Sequence, residues 1–204
     1  SGFTLSAPKD ATVVTPTTTM VTKSGGALTA SDVATALGLP AGVDPLTFNP
    51  YASGVNAADA LAVEKVAQQV MGAVTAFGAS LEGAGASADD AFSLALDSIV
   101  AVVADNKVAG TTLDLTDAAD IASIATKADT LIGTADYAST SGGGWGGAAW
   151  TALKSNTTDA IKAVADNIAA VDSLTSDAAK GSFGNVEVLK AQVKSAAVAE
   201  KAQA

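Results

Sequence analysis

From Leu61 onward, apolar residues recur at steps of three and four: Leu61, Val63, Val66, Val70, Met71, Val74 and Phe77. This spacing predicts a long helix, capped at Asn56 and reaching about Leu81. Ser87, with Asp90 three residues on, marks a second start. Phe92, Leu94, Leu96, Ile99, Val100, Val102 and Val103 carry that helix to about Asp105, and Asn106 to Gly110 reads as a turn. Thr111 to Leu115 has Leu113 and Leu115 on one side and reads as a short extended piece. Thr116 is the expected cap of a third helix, running to about Ile132 on Ala118, Ile121, Ile124, Ala128 and Leu131. A fourth stripe, Trp150, Leu153, Ile161, Val164, Ile168 and Val171, predicts a helix from about Ala148 to Val171 or Leu174. A last segment, Asn185 to about Lys201, carries Val186, Val188, Leu189, Val193 and Val198.

The first 55 residues follow another pattern. Phe3, Leu5, Val13 and Val14 are strand formers interrupted by Pro8 and Asp10, which predicts extended chain. Thr15-Pro16 is a helix-start signal, with threonine as N-cap and proline at the first helical position. A short helix to Lys23 should end at Gly25-Gly26, and another, capped by Thr29 or Ser31, should run through Leu37. Residues 40–55 hold three of the five prolines and read as an ordered loop with Leu46, Phe48 and Tyr51 to bury. The expected fold is all-α. A bundle of four to five main helices fills 16–204, and 1–15 form an extended segment able to pair with a neighbour.

Composition narrows the chemistry. Roughly a quarter of the 204 residues are alanine, so the helices should approach closely. The net charge is −10, all 11 cationic residues are lysine, and histidine and cysteine are absent. An acidic chain without arginine is ill suited to phosphate backbones, so no nucleic-acid partner is expected. Imidazole and thiolate metal sites and histidine- or cysteine-based triads cannot be built. The longest apolar runs, such as Ile99 to Ala104, are too short for membrane insertion.

Three sets of residues invite a functional reading. Asp114, Asp117 and Asp120 sit at three-residue spacing and could offer oxygen ligands to calcium. They lack the DxDxDG loop, and first-turn capping explains them more simply. Trp145 and Trp150, with Tyr137, surround the glycine-rich SGGGWGG and could stack on a glycan; aromatic residues more often pack than bind, and Trp150 filling an alanine-rich core is the simpler reading. Phe3, Leu5, Val13 and Val14 are assembly candidates, as an extended segment donated to an adjacent domain or subunit. Glu64 with Lys65, and Glu187 with Lys190, read as solvated helix-face charges. Asp89-Asp90 and Glu82 flank a helix junction, where negative charge is stabilising at the N-terminus. Asn156-Thr157-Thr158 fits a glycosylation acceptor but falls inside a predicted helix. No cofactor is expected, and no spacing pairs a nucleophile with a base, so the chain reads as non-enzymatic.

GFTLSAPKDATVVTPTTTMV, then ALGLPAGVDPLTFNPYASG and ALAVEKVAQQV, resembles a helical module of very large bacterial surface and adhesin-like proteins, of the RTX type with immunoglobulin-like repeats. Val14, Thr15, Pro16, Thr18, Thr19, Leu39, Pro40, Asp44, Leu46, Phe48 and Pro50 carry the resemblance, which spans about residues 3–75. Thr17 and Met20 depart from it, where leucine is usual, as does Asn49, where aspartate is usual. The resemblance implies an extracellular, cell-surface location within a larger assembly, and no catalytic residues. The expected function is a structural or interaction module of an adhesin, surface layer or filament, whose partners are neighbouring domains or identical subunits. The alternative is a glycan- or peptide-binding domain using loop 40–55 or 141–150.

Overall fold

The computed structural model describes residues 4–140 and 148–175, with side chains over 4–137 and 154–175. The expected last helix, Asn185 to Lys201, lies outside the described residues, as do Phe3 and Trp145. Six α-helices are present among those described: α1 Pro16–Lys23, α2 Ala30–Ala36, α3 Ala57–Gly83, α4 Ala88–Ala109, α5 Ala118–Leu131 and α6 Ala148–Ala169. A short 3-10 segment, Ala135–Thr140, is kinked at Tyr137. The all-α reading holds.

Helices α3, α4, α5 and α6 form a closed four-member ring. α3 packs on α4 and α6, and α5 completes the circuit between them. Its centre is filled by Phe77, Leu81, Leu94, Leu96, Ile99, Ile121, Ile124 and Ile161, all sealed from solvent. Alanines at 73, 76, 79, 91, 95, 125, 128 and 165 are buried between them. Small side chains shorten the interhelical distance, so close backbone approach stands in for large side chains. The extreme case is Gly78, where an added Cβ would lie 2.7 Å from the Phe92 ring.

The helix starts follow local chemistry. The Thr15 hydroxyl accepts from the N–H of Thr18, while the Thr18 hydroxyl accepts from the N–H of Thr15, a reciprocal capping box with Pro16 at the first position. Thr29 and Asp32 repeat the arrangement at α2. Asn56 and Ser87 cap α3 and α4.

Several ends differ from expectation, and α6 stops at Ala169, short of Val171 or Leu174. α4 runs past Asp105 to Ala109 and stops at Gly110, which adopts the left-handed conformation at φ 70°. Lys107 explains the extra turn: it pairs with Asp32 at 2.9 Å and donates to the carbonyl of Ala27 at 3.1 Å. The Thr29 N–H and then Lys107 hold the Asp32 carboxyl low, at about 2. At α5 the cap is Asp117, not Thr116, because the Asp117 carboxylate reaches the N–H groups of both Ala119 and Asp120. Residues 111–115, expected as a short extended piece, form the non-helical connection from α4 to α5: Leu113 and Leu115 are buried, and the Leu113 N–H donates to the Ala36 carbonyl at 2.7 Å.

Residues 4–15 form no strand. They lie across α1 and the 40–55 loop, bonded at three points. The Ser6 carbonyl accepts from the hydroxyls of Thr18 and Thr19, at 3.0 and 2.9 Å. The Ser6 N–H donates back to Thr19 Oγ1 at 2.9 Å. Thr12 and Val13 both donate to the Leu46 carbonyl. No helix among the described residues is long and apolar enough to cross a membrane.

Candidate functional site

The 40–55 loop is braced by hydrogen bonds to its own side chains. Asp44 accepts from the N–H of Leu46 at 3.0 Å, and its carbonyl accepts from Thr47 and Phe48. Asn49 Oδ1 accepts from the Tyr51 N–H at 2.9 Å, so the asparagine supplies the oxygen acceptor this turn uses. Leu46 then ties the loop to the N-terminal segment through its carbonyl.

Between that segment, the loop and the first half of α3 lies a groove of about 430 Å³. Leu5, Val13, Val14 and Pro16 form one wall and Phe48, Pro50 and Tyr51 the other. Glu64, Ala67, Gln68 and Met71 of α3 form the floor. Val14 and Tyr51, 58% and 66% exposed, are two of the three large apolar side chains most open to solvent among the described residues; Val108 is the third. Val14 and Tyr51, with Asn49, are the groove's exposed lining residues and stand at its mouth.

The groove's one charge is Glu64. It is 9% exposed, the only charged side chain in the buried class among the described residues. The Gln68 side-chain amide donates to its Oε1 at 2.7 Å, and the Tyr51 hydroxyl lies against it. Loss of hydration at its inner end, followed by the Glu64 carboxylate, pushes the Tyr51 phenol up to about 12. The reading of Glu64 as a solvated helix-face charge is therefore corrected. A signal was present: Ala60, Glu64, Ala67 and Met71 are spaced by four, three and four residues, a single helix face, and that face is roofed by the loop. Lys65, by contrast, reaches the Ala169 carbonyl at 2.8 Å.

The other candidates are dispersed. Asp117 is spent on its cap, Asp114 accepts from the N–H and hydroxyl of Thr116, and Asp120 accepts from the Asp114 N–H. Among the described residues no group of three acidic side chains, Asp114, Asp117 and Asp120 included, gathers as a metal ion requires. Tyr137 is 5% exposed, with its hydroxyl donating to the Asp97 carboxylate, so its ring presents no face for stacking. Trp145 lies outside the described residues, and Trp150 is described only as backbone within α6. Leu5, Val13 and Val14 do come together, as walls of a groove in their own domain.

Apolar walls around a recessed acceptor suit the binding of a chain or side chain. A second hollow, of about 320 Å³, lies between α2 and Pro40–Pro45 and holds Asp44, already engaged with Leu46. Compared with protein families, curated proteins and solved structures, the chain matches none.

Proposed function

We propose that this chain is a non-enzymatic structural and interaction module of a secreted bacterial surface protein, and that it engages its partner through the groove between residues 5–16 and 48–71. The observation that carries the reading is the pairing of Val14 and Tyr51, both exposed, at the mouth of one apolar groove. Exposed apolar side chains gathered at a concave site mark interaction surfaces. Acidity and the absence of cysteine accord with a surface location, and the resemblance over residues 3–75 supplies the context.

Two modes of engagement compete. In one, the N-terminal segment is donated to a neighbour; in the other, the 40–55 loop receives a peptide. The backbone hydrogen bonds of Ser6, Thr12 and Val13 within the domain favour the second, since donation would have to break them. In the second mode the segment stays as one wall of the receiving site.

Labelling intact source cells with an antibody to this domain tests the location; signal only after lysis would end the surface reading. A Val14→Ser, Tyr51→Ser double variant tests the groove. It should keep its helical circular dichroism and lose binding to arrayed peptides. Unchanged binding would end the groove reading.

A further inference from the structure

The groove's charge is unbalanced. Every ion pair among the described residues joins a lysine to an aspartate: Lys23–Asp97, Lys107–Asp32, Lys127–Asp105, Lys154–Asp129 and Lys162–Asp166. Glu64, more buried than any of these carboxylates, has no lysine within pairing distance among the described residues. Its hydrogen-bond donor is neutral, the Gln68 amide, and the Tyr51 hydroxyl lies near it. Burying a carboxylate without a counter-charge is costly, and here it sits beneath a groove that is otherwise uncharged and walled mainly by apolar side chains. A second feature bears on what could fill it. Among the described residues, the N–H and C=O of Val14 have no hydrogen-bond partner, whereas the N–H groups on either side are engaged: Val13 donates to Leu46 and Thr15 to Thr18. An extended chain laid along the groove would meet free main-chain groups at Val14 and apolar walls on either side.

We propose that the groove takes an extended, largely apolar segment of a partner protein carrying one lysine or arginine, with the cationic head placed against Glu64. The stem of that side chain lies along Met71 and the Tyr51 ring, which accommodates a cation on its face. The segment's main chain pairs with Val14. A chain of net charge −10 also attracts a cationic partner at long range. This inference rests on the groove being the interaction site.

The probe is an array of random octapeptides, incubated with the purified protein at low and at physiological salt. An acidic protein collects basic peptides non-specifically, so the deciding comparison is Glu64→Gln, which alters one of 21 acidic residues and leaves the general field nearly intact. The bound peptides should share one basic residue between apolar ones. Their affinity should fall about tenfold or more in Glu64→Gln, as expected when a buried charge pair is broken. A probe-side change guards against a folding defect: replacing the peptide's basic residue by norleucine should weaken binding to the native protein by a similar factor. The norleucine peptide should bind native protein and variant alike.

Apolar peptides bound without basic preference, yet lost in Val14→Ser, Tyr51→Ser, would overturn the cation and leave the groove reading standing. No bound peptide, or binding indifferent to that double variant, would overturn both. Glycans bound in place of peptides, or dimers in sedimentation that vanish in Glu64→Gln, would assign the groove to a sugar or to a second copy and overturn the partner named.

Discussion

The hydroxyl of Thr157, in α6, donates to the hydroxyl oxygen of Ser80, near the end of α3, at 2.9 Å, and each residue is 1% exposed. This is a polar contact between two ring helices inside an alanine-rich interface. A buried acceptor that loses its donor cannot recruit water in its place. Thr157→Val, which keeps the shape, should therefore lower unfolding free energy by about 1–3 kcal/mol in urea titrations. Adding Ser80→Ala should recover part of the loss, because the orphaned group is then removed. A double variant whose losses simply sum would show that the two hydroxyls are not coupled.

Gly78 and Gly72 lie on α3 and should respond oppositely to alanine. Alanine gains about 1 kcal/mol over glycine in a helix interior. At Gly72 the new methyl meets only a Val164 methyl at 3.3 Å, so a small adjustment accommodates it and the gain should survive. At Gly78 the methyl meets three ring atoms of Phe92 at 2.7 to 3.0 Å, and α3 and α4 must move apart. Overpacking of that kind costs about 1–3 kcal/mol, enough to exceed the gain. Thermal melts should show Gly72→Ala at or above the parent and Gly78→Ala below it. Phe92→Leu in the Gly78→Ala background should restore part of the loss.

The contrast between these sites and the helix caps shows what was legible in the sequence. Thr15-Pro16, Thr29, Asn56 and Ser87 act on N–H groups two or three residues away, so their role is local and could be read. The continuation of α4 through Asn106 could not. It depends on Lys107 meeting Asp32, which is 75 positions earlier in the chain. Glu64 is the same case for the candidate site. Its four-residue spacing from Gln68 fits a solvated pair as well as a buried one, and only the 40–55 loop folding over α3 makes it the recessed charge of a groove. Leu5, Val13 and Val14 were recognisable as chain with a contact to make. Within the domain, Thr18 and Thr19 hold Ser6, and this sets Leu5 and Val13 against the groove.

Tyr137 gives the protein a pH dependence. Burial, and then the Asp97 carboxylate that its hydroxyl donates to, raise the phenol well above its usual value. In the unfolded chain it ionises near pH 10, while in the folded protein it stays protonated. The stabilisation is therefore complete below about pH 10 and declines as pH rises further, by at most about 1.4 kcal/mol per pH unit. Tyr51 shifts in the same direction, to about 12, and must be separated from it. Tyr137→Phe should be less stable at pH 8 by about 1–2 kcal/mol and should lose less than the native protein between pH 10 and 11.5. Tyr51→Phe should keep the share of that decline that Tyr137 contributes, about half of it. If all three proteins fall in parallel in denaturant titrations at both pH values, Tyr137 is not the group responsible.

Thr19 decides whether the N-terminal segment stays with its own domain. Its hydroxyl shares its proton between the carbonyls of Ser6 at 2.9 Å and Thr15 at 2.8 Å and receives the Ser6 N–H at 2.9 Å, and the residue is 1% exposed. Thr19→Val removes both bonds to Ser6 while keeping a branched side chain that α1 tolerates. Ser6 retains only the Thr18 hydroxyl, at 3.0 Å. The amide of Ser6 should then exchange with solvent at least tenfold faster, and global stability should fall by about 1–2 kcal/mol. Thr22→Val is the control: Thr22 is exposed and its hydroxyl returns only to the Thr18 carbonyl, so it should lie within about 0.5 kcal/mol of the parent. A segment that leaves its groove wall also leaves Leu5 and Val13 without cover, so Thr19→Val should raise the dimer fraction at high concentration through exchange of the segment between copies. Unchanged exchange at Ser6 would mean that the Thr12 and Val13 bonds to Leu46 hold the segment without the threonine clamp.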